Sequence, residues 1–546
     1  MSTLLQRALS FAIVAAASFA AAQSNSSSPL IASSKVAVVE TESGKVQGFV
    51  HHGIYTYRGI PYATAARFMP PQRVEKWKDQ RTALTYGPIC PQVQPEQYND
   101  LSEFLLPHRI WVESENCLNL NIWTPGINDG KKRPVMVWFH GGGFTNGSSI
   151  EQVVYDGENL ARKGDVVVVT VNHRLNVLGF LDLSAYGPQY KNSANVGIMD
   201  LAASLEWVRA NIANFGGDPG NVTIFGQSGG GGKVATLMSA PSTVGLFQKG
   251  VIESGGVFLQ DKKISQRIAE LTLQNLHLDS TQLDQLQKIP YRELNDAGNK
   301  ALEAAGKENG HKGMMGRGGY MWSPVADGDY LPVQSTDRTL PAISKDTPLM
   351  IGSTLNEFSA MASLYDPRLK GSESWTIDQV KDFLRVQHGD KTDAIVAAYQ
   401  KAYPTMKPSD WLAVDTMFRS GVVNIAGGKA DQNGAPVYVY LFAWQSPVEE
   451  GAFKAAHCAE IPFVFNNVAI DEQGTGGGPD AYAMADRVSQ AWINFARTGN
   501  PNNPGLPNWP AYTRANGATM ILDNQSEFRG YHDKDLIDLL KPSLSF

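Results

Sequence analysis

The chain has 546 residues, 42% of them hydrophobic and 10% aromatic, with 47 basic against 53 acidic side chains and a formal net charge of −6. That length and composition exclude a peptide, a disordered chain and a lone small binding module. The mild acidity has the wrong sign for a nucleic-acid partner, and 18% charged residues with 52 glycines describe a thick, loop-rich α/β body.

In chain order, Met1 to Arg7 carries one positive charge and Ala8 to Ala22 is apolar and small. Ala20, Ala21 and Ala22 before Gln23 then offer a small-residue cleavage site. Residues 1–22 are therefore expected to be a signal peptide cut from a secreted, extracellular protein, which leaves 23–546 as one domain. A membrane anchor would need about 20 apolar residues, and this run ends in the polar stretch Gln23 to Ser28. No later stretch is apolar for long enough to span a bilayer, so no membrane span is expected. Asn25, Asn146, Asn221 and Asn524 each open an Asn-x-Ser/Thr sequon and are the glycosylation candidates of an exported chain.

Short β-branched runs then alternate with helical patterns. Arg133 to Phe139, Asp165 to Val171, Asn221 to Phe225, Gly250 to Ile252, Pro348 to Ile351 and Pro436 to Phe442 read as strands bounded by Gly, Pro or Asn. Several are apolar on both faces, as parallel strands covered by helices on each side must be. Ile198, Leu201, Leu205, Val208, Ile212 and Phe215 recur at helical spacing and predict a helix over 198–214, stopped by Gly216-Gly217. Met484, Val488, Trp492 and Phe495 predict another over 480–498. This alternation predicts a doubly wound α/β sheet. Residues 258–310 and 370–430 interrupt it with helical patterns, either as a cap over the active site or as packing decoration.

Of the three cysteines, two should pair in an oxidising compartment. The nearest two, Cys90 and Cys117, would close a loop of 27 positions (117 − 90), worth about 3 to 4 kcal/mol by loop entropy. Cys458 adjoins His457, but nucleophile and base are neighbours in space rather than in sequence, so it reads as a small buried thiol.

The chemistry concentrates in Asn221 to Gly230, a strand running directly into Gly226-Gln227-Ser228-Gly229-Gly230 and on into the helix-compatible segment Lys233 to Ala240. A nucleophile elbow needs glycines at both flanks because the serine sits on a tight strand-to-helix turn. The helix start also places free N–H groups and a positive dipole end beside it. Upstream, the strand ending at Phe139 runs into His140-Gly141-Gly142-Gly143-Phe144, whose bare backbone donors can crowd around an oxygen. A serine hydroxyl needs a base, and the base an acid to fix its tautomer, in the chain order Ser, acid, His. His457 lies in the expected late loop. His277, His311 and His388 fall in the helical insertions, and His532 falls in the tail. Glu357 follows a strand directly and is a candidate acid, with Asp327 and Asp329 as rivals.

With these motifs the chain resembles the type-B carboxylesterase/lipase family, the cholinesterase-like branch of the α/β hydrolases, over nearly all of its mature length. The motifs appear in order: Tyr57-Arg58-Gly59-Ile60-Pro61-Tyr62-Ala63, Ser114-Glu115-Asn116-Cys117-Leu118-Asn119-Leu120-Asn121-Ile122-Trp123 and the three-glycine loop. Asn172-His173-Arg174-Leu175, the elbow, and Phe495-Ala496-Arg497-Thr498-Gly499-Asn500-Pro501 complete the series. The resemblance implies an α/β-hydrolase fold, with a large mostly parallel sheet, helices on both faces and helical insertions over the active site. It implies a catalytic triad of Ser228, Glu357 and His457, an oxyanion hole from Gly142, Gly143 and Gly229, and a Cys90–Cys117 disulfide. Scaffold ion pairs would fall on Arg67 with Glu115 and on Arg174 with Asp200.

There are departures from the family pattern. Gln227 stands for the usual Glu, Gly229 for Ala, Asn116 for Asp and His173 for Tyr, and the segment after Tyr62-Ala63 is short; none removes a reacting group. Trp111 is not at the spacing of a choline-stacking tryptophan, which disfavours choline esters. The function implied is a secreted serine carboxylic ester hydrolase that cleaves a small-molecule ester through an acyl-enzyme. An acyltransferase or lactone-forming enzyme would use the same triad, whereas a non-catalytic binding member would be expected to have lost the serine and to carry a membrane span. No metal is implied, since there is no His-Glu-x-x-His pattern and no Cys/His cluster, and no other cofactor, since the glycines lack dinucleotide-binding spacing.

Overall fold

The computed structural model describes residues 29–93, 100–311, 319–332 and 338–540; the expected signal peptide and Asn25 lie outside the described residues. Its frame is a twelve-stranded sheet. The strands are β1 (Leu30–Ile31), β2 (Phe49–His51), β3 (Ile54–Pro61), β4 (Asn119–Thr124), β5 (Arg133–Phe139) and β6 (Val167–Val171). They continue with β7 (Gly217–Gln227), β8 (Lys249–Glu253), β9 (Leu349–Thr354), β10 (Val437–Phe442), β11 (Ala518–Leu522) and β12 (Glu527–Gly530). Their order across the sheet is β1-β2-β3-β4-β6-β5-β7-β8-β9-β10-β11-β12. From β6 to β11 every neighbouring pair is parallel, while the flanks on either side pair antiparallel. The edges are short or charged: β1 has two residues, and β12 carries an ion pair between Glu527 and Arg529.

Burial explains the parallel block. Every residue of β5, β6, β8, β9 and β10 is buried, which only a sheet covered on both faces permits. Alternation then sorts the side chains into two cores. Val135, Val137, Phe139, Ile224 and Ile252 face one, and Met136, Trp138, Phe225, Val251 and Met350 face the other.

The expected strands are present, with boundary differences that have local causes. The strand expected from Asp165 begins at Val167, because Asp165 takes a left-handed backbone (φ 43°) that caps the helix Glu158–Gly164. β7 begins at Gly217, four residues ahead of Asn221, because Gly217 pairs with Arg133 across a register shift between Arg133 and Val135. The residue between them, Pro134, has no N–H to give the ladder.

The expected 198–214 helix is α1 (Val196–Asn211), continued by a 3₁₀ turn over Ile212–Phe215. The elbow helix is α2 (Gly229–Ser239). The first insertion contains α3 (Lys262–Asn275) and α4 (Tyr291–Glu308). The second contains α5 (Ile377–His388), α6 (Thr392–Ala402) and α7 (Met417–Asp431). The late helix is α8 (Pro479–Thr498). Cys90 and Cys117 are joined in a disulfide, with Cα atoms 5.0 Å apart. Arg174 and Asp200 form a buried ion pair at 2.6 Å, and the same guanidinium donates to the carbonyls of Ala66 and Met69, so that few of its donors are left unpaired. Arg67 pairs with Glu115.

Candidate active site

The site is built where β5, β7 and β9 end. β7 stops at Gln227, α2 starts at Gly229, and Ser228 between them takes φ 58° and ψ −122°. An L residue in that conformation stores strain of about 1–3 kcal/mol. Two main-chain bonds hold it there: Ser228 N–H donates to Glu253 O at the end of β8 (2.8 Å), and Gly232 N–H donates to Ser228 O (3.0 Å).

The turn is pressed against the glycine loop that follows β5. A Cβ on Gly229 would lie 2.3–2.4 Å from the O, Cα and N of Gly143, so only glycine lets α2 and the loop meet at this distance. The loop itself turns at Gly142 (φ 76°), whose carbonyl accepts from Thr145 N–H (3.3 Å) and Asn146 N–H (3.0 Å). Among the described residues, the N–H groups of Gly142, Gly143 and Gly229 have no acceptor. Three adjacent main-chain donors are thus left for a ligand oxygen.

Glu357 lies three residues beyond the end of β9, completely buried, with φ 35°. Its Oε1 accepts from Thr354 N–H (2.8 Å) and from the Ser254 hydroxyl (2.7 Å), which aims Oε2 at a short hydrogen bond with His457 Nδ1. The main chains are also tied, His457 N–H donating to Glu357 O at 3.2 Å. The Asn356 side chain accepts from Ala455 N–H (3.0 Å) and donates to Ala413 O (2.9 Å), bracing the histidine loop against the second insertion. The rings of Phe358 and Phe418 lie 4.2 and 5.5 Å from the imidazole. A carboxylate on Nδ1 fixes the tautomer and leaves Nε2 as the acceptor.

Nε2 lies 3.3 Å from the Gln227 amide nitrogen, and no hydrogen bond joins it to Ser228 Oγ. The structure therefore brings Glu357 and His457 into direct contact and links them to the serine through its neighbour. Catalytic hydrogen bonds of this kind are commonly loose in a free enzyme. The Cys458 thiol turns inward to donate to Gln227 Oε1 (3.2 Å), and burial pushes its pKa well above the ordinary thiol range.

The rival residues lie elsewhere. Asp327 accepts from the Asn195 side chain and from Asp329 N–H, and Asp329 pairs with Lys191. His311 stacks on Tyr320, His532 packs against Tyr403, His388 ends α5, and His277 is exposed. The second insertion touches the site through Phe418.

The sequence pattern does not reveal the buried acids behind the site. Glu253 accepts from Trp492 Nε1–H (2.7 Å), and desolvation raises its pKa to about 8. Burial, reinforced by Glu253, also holds Glu460 well above the carboxylate range. Burial thus disfavours the charged form of both beside the imidazole. Among the described residues there is no group of three or more His, Cys, Asp or Glu able to hold a metal, and no helix long and apolar enough to cross a membrane. Of the glycosylation candidates, Asn146 and Asn524 are exposed, and Asn221 is half-buried with its side-chain oxygen bonded to Lys249.

Known proteins resemble the chain in sequence and fold. The model of the carboxylesterase family matches residues 35–536. The chain is 34% identical over 513 residues to the para-nitrobenzyl esterase of Bacillus subtilis (strain 168), covering 93% of this chain and 99% of that one. It is 31% identical to the phenmedipham hydrolase of Pseudarthrobacter oxydans, covering 89% and 95%. The solved structure of a Clostridium hathewayi esterase that can hydrolyze aliphatic aromatic polyesters superposes with a TM-score of 0.83 at 38% identity, covering 92% of this chain and 97% of that one.

Proposed function

Since the chain belongs to the carboxylesterase family and is a carboxylic ester hydrolase of the α/β-hydrolase fold, we propose that it works by two-step acyl transfer through Ser228, His457 and Glu357. The observation that carries this reading is the Glu357 carboxylate on His457 Nδ1 beside the strained Ser228 turn. The Gln227 amide first yields Nε2 to the serine hydroxyl. Ser228 Oγ then attacks the ester carbonyl carbon, His457 Nε2 takes its proton, and the N–H groups of Gly142, Gly143 and Gly229 receive the oxygen as it becomes negative. Collapse of the tetrahedral intermediate expels the alcohol with the proton from His457. Water, deprotonated by the same imidazole, then attacks the acyl-enzyme and releases the acid.

The substrate is a small-molecule carboxylic ester. Phe358 and Phe418 against the imidazole favour an apolar or aromatic group beside the scissile bond, in keeping with the benzyl and aromatic esters in the names of the relatives. The mature protein begins at Gln23 after export, folds as one domain and carries sugar at exposed sequons such as Asn146 and Asn524.

Labelling with a fluorophosphonate, followed by peptide mass spectrometry, tests the triad, run beside an acyl-chain series of p-nitrophenyl esters. The expected result is label on Ser228 and turnover that peaks at one chain length. Near-native turnover by Ser228→Ala, or label on another residue, overturns the assignment. N-terminal sequencing of the exported protein checks the cleavage at Gln23.

A further inference from the structure

Every donor of the proposed oxyanion hole is main chain, so whatever fixes that main chain fixes the hole. Behind the glycine loop lies Lys233, on α2 five residues after Ser228, with no exposed surface. Its ammonium donates to the carbonyl oxygens of His140 (2.7 Å) and Gly141 (3.3 Å), its only hydrogen-bond partners among the described residues. The Phe144 ring lies 5.9 Å from Nζ. The imidazoles of His140 and His173 stack with centroids 5.2 Å apart, and burial, then the lysine charge, holds both well below the ordinary histidine range. Neither adds a second cation. Glu151 is the one carboxyl that favours the charged lysine, and it is not in ion-pair contact with it.

A buried ammonium without an ion pair costs several kcal/mol, and desolvation lowers the Lys233 pKa to about 7. An apolar side chain of the same length would fill the space without that cost, so packing alone does not account for a lysine here. The loop does account for it. The peptide joining Gly141 to Gly142 turns its carbonyl to the ammonium, and its other end is the Gly142 N–H. A hydrogen bond accepted at the carbonyl polarises the amide and strengthens its N–H as a donor, and the lysine, when protonated, adds a positive charge that favours an oxygen becoming negative.

We propose that Lys233 is a positioning residue of the oxyanion hole: it ties down the His140 and Gly141 carbonyls from behind and strengthens the Gly142 N–H that faces the tetrahedral oxygen. This rests on the reading of Gly142, Gly143 and Gly229 as the oxyanion donors.

The test uses the full chain with Lys233→Met, which keeps the length and removes the charge, and Lys233→Gln, which keeps a donor without it. Kinetics on one p-nitrophenyl ester are run with two inhibitors. One is an aryl trifluoromethyl ketone, whose carbonyl carbon bonds to Ser228 Oγ and whose oxygen becomes the oxyanion; the other is the corresponding alcohol, which binds without reacting. For Lys233→Met the expected result is a loss of kcat of about 10- to 100-fold, somewhat below the loss of one whole donor. KM should stay within threefold, the thermal midpoint should hold or rise, and the ketone should weaken in proportion while the alcohol keeps its affinity. Lys233→Gln should fall between parent and Lys233→Met, and it carries the same readouts if Lys233→Met does not fold. A folded variant with kcat within threefold of the parent overturns the proposal, as does equal weakening of ketone and alcohol. A parent that neither labels at Ser228 nor forms the ketone adduct overturns the underlying reading of the hole instead.

Discussion

The two halves of the site are held by different means. On the nucleophile side, Ser228, the glycine loop and the ends of β5, β7 and β8 are positioned by main chain against main chain, with Gly229 abutting Gly143 and Ser228 N–H bonded to Glu253 O. On the acid–base side, Glu357 opens the helix Glu357–Tyr365 and His457 sits on a loop, and the contact between them is made by side chains: the Ser254 hydroxyl and the Thr354 N–H hold the carboxylate, the Asn356 side chain braces the histidine loop, and Phe358 and Phe418 supply the packing. The first half has no room for an added methyl group at Gly142, Gly229 or Gly230, and the donors it presents are main-chain N–H groups that do not titrate. The second has rotatable parts and depends on which atoms carry protons.

That contrast is open to attack from either side. The largest effect belongs to Glu357→Gln, which keeps the shape and removes the charge that fixes the His457 tautomer. It should lower kcat on p-nitrophenyl esters by about 10³- to 10⁴-fold while fluorophosphonate still finds Ser228, only more slowly; a loss under tenfold would return Asp327 and Asp329 to contention. Next is Gly229→Ala, one methyl group on the rigid half. Because its Cβ would stand within 2.4 Å of Gly143 backbone atoms, the loop must move, and kcat should fall by about 10²- to 10³-fold with the thermal midpoint lowered by overpacking worth about 1–3 kcal/mol. A fully active variant would show that the glycine half yields as readily as the other.

Cys90→Ser with Cys117→Ser lies outside both halves. Opening a 27-residue loop should cost about 3 to 4 kcal/mol of stability, read as a lower thermal midpoint, with kcat within a factor of about two. The smallest effect concerns pH. Glu253 has a native pKa raised to about 8 from 4.5, so between those values the native protein holds a proton that the unfolded chain has released. Stability therefore falls as pH rises through that window. Glu253→Gln should flatten this fall by about 1.4 kcal/mol per pH unit at most, as seen in thermal midpoints from pH 5 to 8. Glu460 carries the same sign and keeps part of the slope.

What was legible in the sequence follows the same division. Strands apolar on both faces, the Gly-x-Ser-x-Gly turn and the three-glycine loop are local constraints, and they can be read from neighbouring residues. The acid cannot. Glu357, Asp327 and Asp329 each follow a strand-like run, and only the fold shows that Asp327 is occupied by Asn195 while Glu357 meets His457. The resemblance to a family, rather than the residues alone, made that choice. Lys233, Glu253 and Glu460 were illegible for a different reason: a charged residue in a sequence reads as surface, and its burial is a property of the elements stacked around it. The early start of β7 was hidden likewise, since Gly217 is a strand residue only by virtue of pairing with Arg133.

The borders of the sheet have a bearing on how the molecule behaves in company. A row of unpaired N–H and C=O groups recruits strands from other chains, and it is the usual seed of amyloid-like stacking. Here one border is the two-residue β1, and the other is β12, where Glu527 and Arg529 stand paired along the strand. A second chain would find two rungs to grip on one side and a salt bridge to strip of water on the other. The stickiest architecture in the molecule is thus blunted at both ends, and concentrated solutions of the folded enzyme should resist fibrillation until heat or denaturant exposes β5 to β10.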